Sequence, residues 1–187
     1  MKLPKRKHRE VLYEGFIGLV KETFEHPDGS SFPIETLLTG GNAVAVLAET
    51  PKGEVVLVRE YRFPVRDFVL SCPGGRQGND EDPIDAAKRE LLEETGYSSD
   101  HWTLMGAIYP LPALCDQKVF LVKAENAIPQ GKANTEPLEF IETVLICRSG
   151  LEREIVASPN VDGIMLSLLL HDRFGGKSEG CEPEKSV

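Results

Sequence analysis

The sequence predicts an α+β protein in which a mixed β-sheet is packed between helices. Three observations support this fold class. β-rich runs dominate the chain up to residue 72, one strongly capped helix follows, and more β-rich runs then lead to a second, apolar helical segment. Strands, a central helix, further strands and a final helix are the order expected when a sheet packs between helices. A chain of 187 residues can form one substantial domain with a small N-terminal appendage.

The first 40 residues predict an N-terminal β-region that precedes the main domain. We expect a strand over Val11–Val20, a turn over His26–Ser31 with Asp-Gly at its centre, and a return strand in "FPIETLLTG". The basic start "MKLPKRKHRE" is predicted to be a disordered, solvated end, with anion binding as the alternative. No long apolar run follows it, so neither a signal peptide nor a membrane span is predicted.

Residues 41–174 predict the main domain. The runs "NAVAVLAET" and "EVVLVREYR", joined by "PKG", predict a hairpin, and "FVLSC" predicts a short strand that ends at "PGG". Beyond the central helix, "WTLMGAIYP", "KVFLVKAE" and "EFIETVLIC" predict three strands, and "VDGIMLSLLLHDRF" predicts the final helix. The polar segment 175–187 is predicted to be a disordered tail.

The central helix carries the strongest local signals. Asp82 suits its N-cap, Pro83 its first position and Gly96 a left-handed C-terminal position. Its apolar residues form one stripe that should pack on the sheet: Ile84, Ala87 and Leu91.

Charge and cysteine usage narrow the function classes. A net charge of −9 argues against nucleic acid as the main partner, because phosphate backbones attract clustered Lys and Arg. The four cysteines are scattered without a CxxC pair, which is typical of reduced thiols in the cytoplasm. Cys72 is interpreted as a small buried thiol.

The C-terminal half of the central helix holds an unfavourable cluster of like charge. Glu90, Glu93 and Glu94 fall within a narrow arc beside the apolar stripe. Each like-charge pair costs roughly 0.2–0.5 kcal/mol on an isolated helix, and the helix dipole opposes carboxylates at this end. A solvated acidic face is one explanation. A hard divalent cation such as Mg²⁺ would make the cluster favourable, and Mg²⁺ commonly bridges carboxylates to substrate phosphates.

The spacing in and before this helix resembles the signature of the Nudix hydrolases. The matching positions are Gly75, then Glu81 after five residues, then Arg89, Glu90, Leu91, Glu93, Glu94 and Gly96 after seven more. Only the last position departs, since Tyr97 stands where the family usually has an aliphatic residue. The resemblance implies the Nudix fold and hydrolysis of a nucleoside diphosphate linked to another group, giving a nucleoside monophosphate and the phosphorylated group.

The same resemblance implies roles for individual residues. Glu90 and Glu94 would be the main metal ligands, Glu93 a further or water-bridged ligand, and the Gly74 carbonyl an additional one. The implied cofactor is Mg²⁺, with Mn²⁺ as the alternative ion. The remaining signature residues have implied structural roles. Glu81 and Arg89 would support the helix and could pair with each other. Gly75 would allow a tight turn, and Gly96 would end the helix.

The runs "VVLVREYRFPV" and "PGG" are similar to the branch that cleaves ADP-ribose and nucleotide sugars. That similarity implies that Arg62, with Arg59 beside it, contacts substrate phosphate. It also implies a homodimer that exchanges N-terminal strands, with Tyr13 and Phe16 as candidates for stacking on the base; ordinary strand packing is the alternative for both. Two features depart from the branch. Ser71 stands where relatives often have an acidic residue, and the segment "YPLPALCDQ" lacks the Ser-Pro-Gly that often follows Tyr-Pro. Both departures favour a nucleotide sugar as a competing substrate.

A glutamate on a later loop often supplies the general base in this branch. Glu139 is the best match, with Glu136 and Glu142 as rivals, and Glu93 is a further catalytic candidate; exposed strand-edge glutamates are the alternative. Two other functions stay open: a nucleoside triphosphate or dinucleoside polyphosphate pyrophosphatase, and a Nudix-fold module that senses a nucleotide without turnover. A P-loop is excluded because no GK[ST] triplet occurs.

Overall fold

The computed structural model describes residues 1–135 and 137–175. Its N-terminal part is a three-stranded antiparallel sheet of β1 (Lys5–Tyr13), β2 (Gly18–Glu25) and β3 (Ser31–Leu38). The turn between β2 and β3 and the return strand confirm the prediction for this hairpin. The single strand expected over Val11–Val20 is wrong, because residues 14–17 connect β1 to β2.

The basic start is also more ordered than the sequence predicted. Residues 5–13 form strand β1, although every one of them is exposed. Ion pairs across the sheet explain why this charged segment adopts a strand: Arg6 Nη1 lies 2.8 Å from Glu22 Oε1, and Lys7 Nζ lies 3.0 Å from Glu25 Oε1. Opposite charges on facing strands favour pairing, a signal that the basic run does not contain by itself.

The main domain contains a mixed six-stranded sheet with the order β11-β5-β4-β9-β8, in which β6 also pairs with β5. Strands β4 and β9 are parallel and the other pairs are antiparallel. The strand bounds are β4 Ala43–Glu49, β5 Glu54–Arg62, β6 Asp67–Ser71, β8 His101–Ile108, β9 Val119–Glu125 and β11 Ile141–Cys147. Two short strands, β7 (Tyr97–Ser98) and β10 (Ile128–Pro129), form a separate ribbon.

Helices cover both faces of this sheet, which confirms the predicted fold class. Helix α1 (Pro83–Thr95) packs with Val44, Val46 and Val56 in one apolar cluster. Helices α2 (Leu151–Ala157) and α3 (Gly163–Phe174) pack on the opposite cluster. Helix α2 was not predicted, because its seven residues form only about two turns and its buried residues are limited to Leu151 and Ile155, which gives little periodic signal.

The local signals predicted for α1 are present. Asp82 Oδ1 accepts a 2.8 Å hydrogen bond from Ile84 N, and Gly96 adopts the left-handed conformation with φ of 73°. Within the described residues, the helices are all too short or too polar to span a membrane.

The N-terminal sheet contacts the main domain close to the start of α1. Leu37 N donates a 2.8 Å hydrogen bond to Leu114 O, and the Arg76 guanidinium donates to Thr39 O. The Arg76 guanidinium also lies 4.4 Å from the centroid of the Phe16 ring, which brings the β1–β2 connection beside the loop that precedes α1. The candidate site lies there.

Candidate active site

A cleft of about 740 Å³ lies between α1, the end of β5 and the loop that precedes β11. Its lining is strongly charged. The acidic residues are Glu60, Glu90, Glu93, Glu94 and Glu139, and the basic residues are Arg62, Arg76 and Arg89. Gly74 and Gly75 form part of the wall, so the glycine loop and the acidic helix meet at one surface.

Glu94 is the most buried of these carboxylates, with 5% of its surface exposed. Its Oε2 accepts a 2.9 Å hydrogen bond from Gly74 N. Burial raises the pKa of Glu94 to about 8, and the charges of Glu90 and Glu60 add to the rise. Burial also raises the pKa of Glu90 and of Glu60. The cleft therefore holds carboxylates whose ionised forms need a compensating positive charge.

The glycine loop lies so close to its neighbours that side chains would not fit. A Cβ atom on Gly75 would lie 2.6 Å from the Glu90 carboxylate, and a Cβ on Gly74 would lie 2.2 Å from Val44 O. Backbone hydrogen bonds from Val44 N to Gly75 O and from Val46 N to Pro73 O fix the loop to β4. Glycine is required here by close approach.

Arg89 connects the carboxylates to one another. Its guanidinium donates to Glu90 Oε1 at 2.7 Å, to Glu93 Oε2 at 3.1 Å and to both carboxylate oxygens of Glu81 at 3.2 Å. It also donates to Arg76 O at 2.9 Å. The hydrogen bonds from Arg89 lower the pKa of Glu81 and raise the pKa of Arg89 itself. Arg89 is thus fully engaged in holding the helix and the loop together.

The donor set suits a hard divalent cation in its chemistry. Carboxylate oxygens are the ligands that Mg²⁺ prefers. Burial is the main cause of the raised pKa values of Glu90 and Glu94, and a bound cation would stabilise their ionised forms. In residues 1–135 and 137–175, no three His, Cys, Asp or Glu side chains already converge closely enough to form a metal centre. Arg89 instead draws Glu90 and Glu93 towards its own guanidinium.

The structure brings together most of the residues predicted for the site. Arg62 lines the cleft and lies 2.8 Å from Glu60 Oε2, and Glu139 and Phe16 line it as well. Phe16 is placed at the cleft of its own chain, with its ring 4.4 Å from the Arg76 guanidinium carbon.

Other candidates lie elsewhere. Arg59 and Glu142 face each other in the β5–β11 register and approach to 3.9 Å outside the cleft. Alternation along β5 explains this placement, because Arg59 points to the face opposite Glu60 and Arg62. Tyr13 is exposed on β1 and does not line the cleft. Glu136 lies outside the described residues.

Several cleft residues were not predicted: Glu60, Arg76, Asn134 and Thr135. Glu60 could have been found, because it lies two residues before Arg62 on the same strand and its side chain therefore points to the same face. Arg76 could also have been found, because it directly follows Gly74 and Gly75, which were predicted to lie at the site. Asn134 gave no local signal; a hydrogen bond from its N–H to Glu93 O, 2.7 Å long, brings its loop to the helix.

A second cavity of about 360 Å³ adjoins the cleft and shares Phe16, Arg62, Arg76 and the two glycines with it. Its other polar lining residues are Thr39, Ser71, Gln117 and Asp162. Cys72 also contributes to the wall, and burial raises the pKa of its thiol, which agrees with an inert structural cysteine.

Comparisons with known proteins agree with this arrangement. The NUDIX domain profile matches residues 40–146. An ADP-ribose pyrophosphatase from Bacillus subtilis (strain 168) is 33% identical over 73% of this chain and 74% of its own. An ADP-sugar pyrophosphatase from Mus musculus is 30% identical over 76% of this chain and 72% of its own. A crystal structure of an ADP compounds hydrolase superposes with a TM-score of 0.82 at 21% identity, covering 92% of this chain and 94% of that one.

Proposed function

We propose that this chain, which belongs to the Nudix hydrolase family, cleaves the diphosphate bond of ADP-ribose or a related nucleoside diphosphate sugar. The products would be a nucleoside monophosphate and a sugar phosphate. The family places the chain among hydrolases of phosphorus-containing anhydrides. The relatives named ADP-ribose pyrophosphatase and ADP-sugar pyrophosphatase support this substrate class.

One observation supports the proposal more than any other. Three glutamates of α1, the glycine loop and two further carboxylates line a single cleft that also holds three arginines. Binding modules without turnover tend to lose the metal-binding glutamates of the signature, and this chain keeps Glu90, Glu93 and Glu94. Hydrolysis of a diphosphate ester uses both features, because its negative charge must be offset before water can attack phosphorus: the arginines would offset it directly, and the carboxylates would do so through the cation they hold.

Glu90, Glu93 and Glu94 would hold Mg²⁺, or Mn²⁺ in its place, with the carbonyl of Gly74 as a further ligand. When bound, such an ion supplies positive charge to the phosphoryl oxygens and lowers the pKa of a coordinated water. The chain contributes the charged wall of the cleft and the glycine loop, whose backbone is hydrogen-bonded to β4. Arg89 and Glu81 keep α1 and this loop in register through the contacts described above.

We assign the remaining chemistry to three side chains. Arg62 would bind a phosphate of the substrate at the mouth of the cleft, where it now pairs with Glu60. Glu139 would act as the general base that accepts the proton of the attacking water, since it lines the cleft opposite α1. Glu93 is the alternative base. The position of Glu142, exposed and paired with Arg59, does not support it in this role.

Phe16 would stack on the base of the substrate from its own chain, because its ring lines both cavities. Tyr13 would instead belong to a contact between two copies. The apolar side chains exposed on the N-terminal β-region support a homodimer through exchanged N-terminal strands: Val11, Leu12, Tyr13, Ile17 and Ile34. Light scattering at micromolar concentration should give twice the mass of one chain; a single-chain mass would rule the dimer out.

Residues 1–40 would then serve assembly and substrate binding, and residues 41–174 would form the hydrolase domain. Part of the predicted tail, residues 176–187, lies outside the described residues. The described cysteines are free thiols, which supports a cytoplasmic location.

A substrate panel tests the function directly. The purified protein is incubated with Mg²⁺ or Mn²⁺ and with ADP-ribose, several nucleotide sugars, dinucleotides or nucleoside triphosphates, and the products are separated by chromatography. We expect a nucleoside monophosphate and a sugar phosphate from the preferred substrate, and Glu90→Gln to lower turnover by orders of magnitude. Glu152→Gln, on the exposed surface of α2, is the matched control. Preference for triphosphates or dinucleotides would favour the rival enzyme class, and binding without turnover would favour the sensing module.

A further inference from the structure

We infer that Arg76 binds the diphosphate of the substrate at the junction between the carboxylate cleft and the adjoining cavity. The inference rests on the proposed function and adds a substrate-binding residue outside the fixed positions of the signature. Arg76 lines both cavities, and among the residues that the structure describes only Phe16, Arg62, Gly74 and Gly75 do so as well. A substrate that extends from one cavity into the other would run along the wall that they share, to which Arg76 contributes its guanidinium.

The charge balance of the cleft distinguishes Arg76 from the other two arginines. Arg89 is engaged by Glu81, Glu90 and Glu93, and Arg62 is paired with Glu60. No carboxylate of residues 1–135 and 137–175 lies within 4.0 Å of the Arg76 guanidinium. Its positive charge is therefore available to an anion directly, whereas Arg62 would first have to release Glu60, and Arg89 would have to release Glu81, Glu90 and Glu93.

Arg76 is also held in place before any ligand arrives. One face of its guanidinium lies against the Phe16 ring, 4.4 Å from the ring centroid, and Nη2 donates to Thr39 O. The backbone carbonyl of Arg76 accepts a 2.9 Å hydrogen bond from Arg89. A guanidinium has five N–H groups in a fixed fork that matches phosphate oxygens, so donors remain for a phosphate after the Thr39 contact. Fixing the group in advance lowers the entropy cost of binding.

This arrangement makes the N-terminal β-region part of substrate selection. Phe16 and Thr39 belong to that region, and both touch the Arg76 guanidinium. A nucleoside diphosphate whose base stacks on Phe16 would bring its phosphates to Arg76 at the same time. Inorganic pyrophosphate or inorganic triphosphate has no base to stack on Phe16, so it would gain binding energy from Arg76 alone.

The test compares Arg76→Gln, Arg76→Lys and the control Arg153→Gln, which removes an exposed arginine of α2. Hydrolysis of ADP-ribose and of the best nucleotide sugar is measured with Mg²⁺, together with melting temperatures. We expect Arg76→Gln to raise KM at least tenfold, with a smaller change in kcat and little change in melting temperature. Arg76→Lys should recover part of the loss, because it keeps the charge without the planar fork. Arg153→Gln should match the wild type.

Calorimetry separates this inference from the proposed function. The probe is adenosine 5′-(α,β-methylene)diphosphate, which cannot be hydrolysed at its bridge, titrated in the presence of Mg²⁺. Weaker binding to Arg76→Gln than to the wild type supports the role of Arg76 even if no substrate of the panel is turned over. If Arg76→Gln and the wild type have equal affinity for the probe and equal KM, the inference is overturned. It is also overturned if Arg76→Gln loses activity only in kcat and its melting temperature falls in parallel.

Discussion

Glu94→Gln should make the metal-free protein more stable at alkaline pH, although it removes a residue of the proposed metal site. Glu94 is 5% exposed, and burial raises the pKa of its carboxyl to about 8 from an ordinary value near 4.5. Between these two pH values the folded protein keeps a proton that the unfolded chain has released, so wild-type stability falls as the pH rises. Above pH 8 the folded protein carries the full cost of a buried charge.

The size of this effect follows from the same two pKa values. At about 1.4 kcal/mol for each pH unit, a difference of this size gives about 5 kcal/mol as an upper bound on the cost of ionised Glu94 at pH 9. Glutamine keeps the shape, and its carbonyl oxygen can still accept the hydrogen bond from Gly74 N. We therefore expect Glu94→Gln to gain a few kcal/mol over the wild type at pH 9 and almost nothing at pH 5.

Urea unfolding in the presence of EDTA, repeated from pH 5 to pH 9, measures this difference. Glu152→Gln is the control, since its side chain is exposed on α2 and should follow the wild type at every pH. Adding Mg²⁺ at pH 8 should stabilise the wild type and leave Glu94→Gln nearly unchanged, because the ion loses a ligand. A variant that is less stable than the wild type at pH 9, or a difference that does not depend on pH, would refute the reasoning.

Two further predictions concern the loop and the base. Gly75→Ala should displace the Glu90 carboxylate, because the new methyl group would lie 2.6 Å from it. We expect a strong loss of turnover at a nearly unchanged melting temperature, and an active Gly75→Ala would contradict the assignment. Gly131→Ala is the control and should be active, because a Cβ atom there meets nothing within 4 Å. Glu139→Gln should lower kcat strongly because the proposed general base is lost, whereas Glu142→Gln should keep the kcat of the wild type. Steady-state kinetics of both variants on the preferred substrate decide, and the reverse result would make Glu142 the base.

Sequence was sufficient for features that depend on neighbouring residues. The cap at Asp82, the left-handed Gly96 and the apolar stripe of α1 are all encoded within one short segment, and each is present. The order of strands and helices along the chain, apart from α2, and the helical cover on both faces follow from hydrophobic patterns of similar range. The order of the strands within the sheet was not predicted, because it depends on pairing between distant segments. The connection at residues 14–17 was missed because it contains Phe16 and Ile17, apolar residues that look like strand residues but belong to the surface of the cleft and its neighbour.

The parts of the site that sequence did not reveal depend on pairing between distant segments. Arg59 and Arg62 are equally basic and nearly adjacent, yet only Arg62 reaches the cleft, because the register with β11 turns Arg59 towards Glu142. A period of two residues predicts that the two arginines differ in direction, but it does not say which face will hold the carboxylates. That choice is made by α1, whose packing on Val56 places its glutamates on the same side of the sheet as Glu60.

The acidic cluster of α1 has a consequence for how the three arginines must be arranged. If every cation in the cleft were paired as tightly as Arg89, the substrate would meet a surface whose charges were already satisfied, and binding would depend on the metal alone. If no arginine were paired, Glu90 and Glu93 would repel each other without relief in the metal-free protein. The arginines of the cleft therefore have different roles. Arg89 stabilises the carboxylates before metal arrives, while Arg76, held by an aromatic ring and a carbonyl, keeps its charge for the substrate. Because both of those contacts come from the N-terminal β-region, substitutions there should change KM for the substrate while leaving the response of the carboxylates to metal intact.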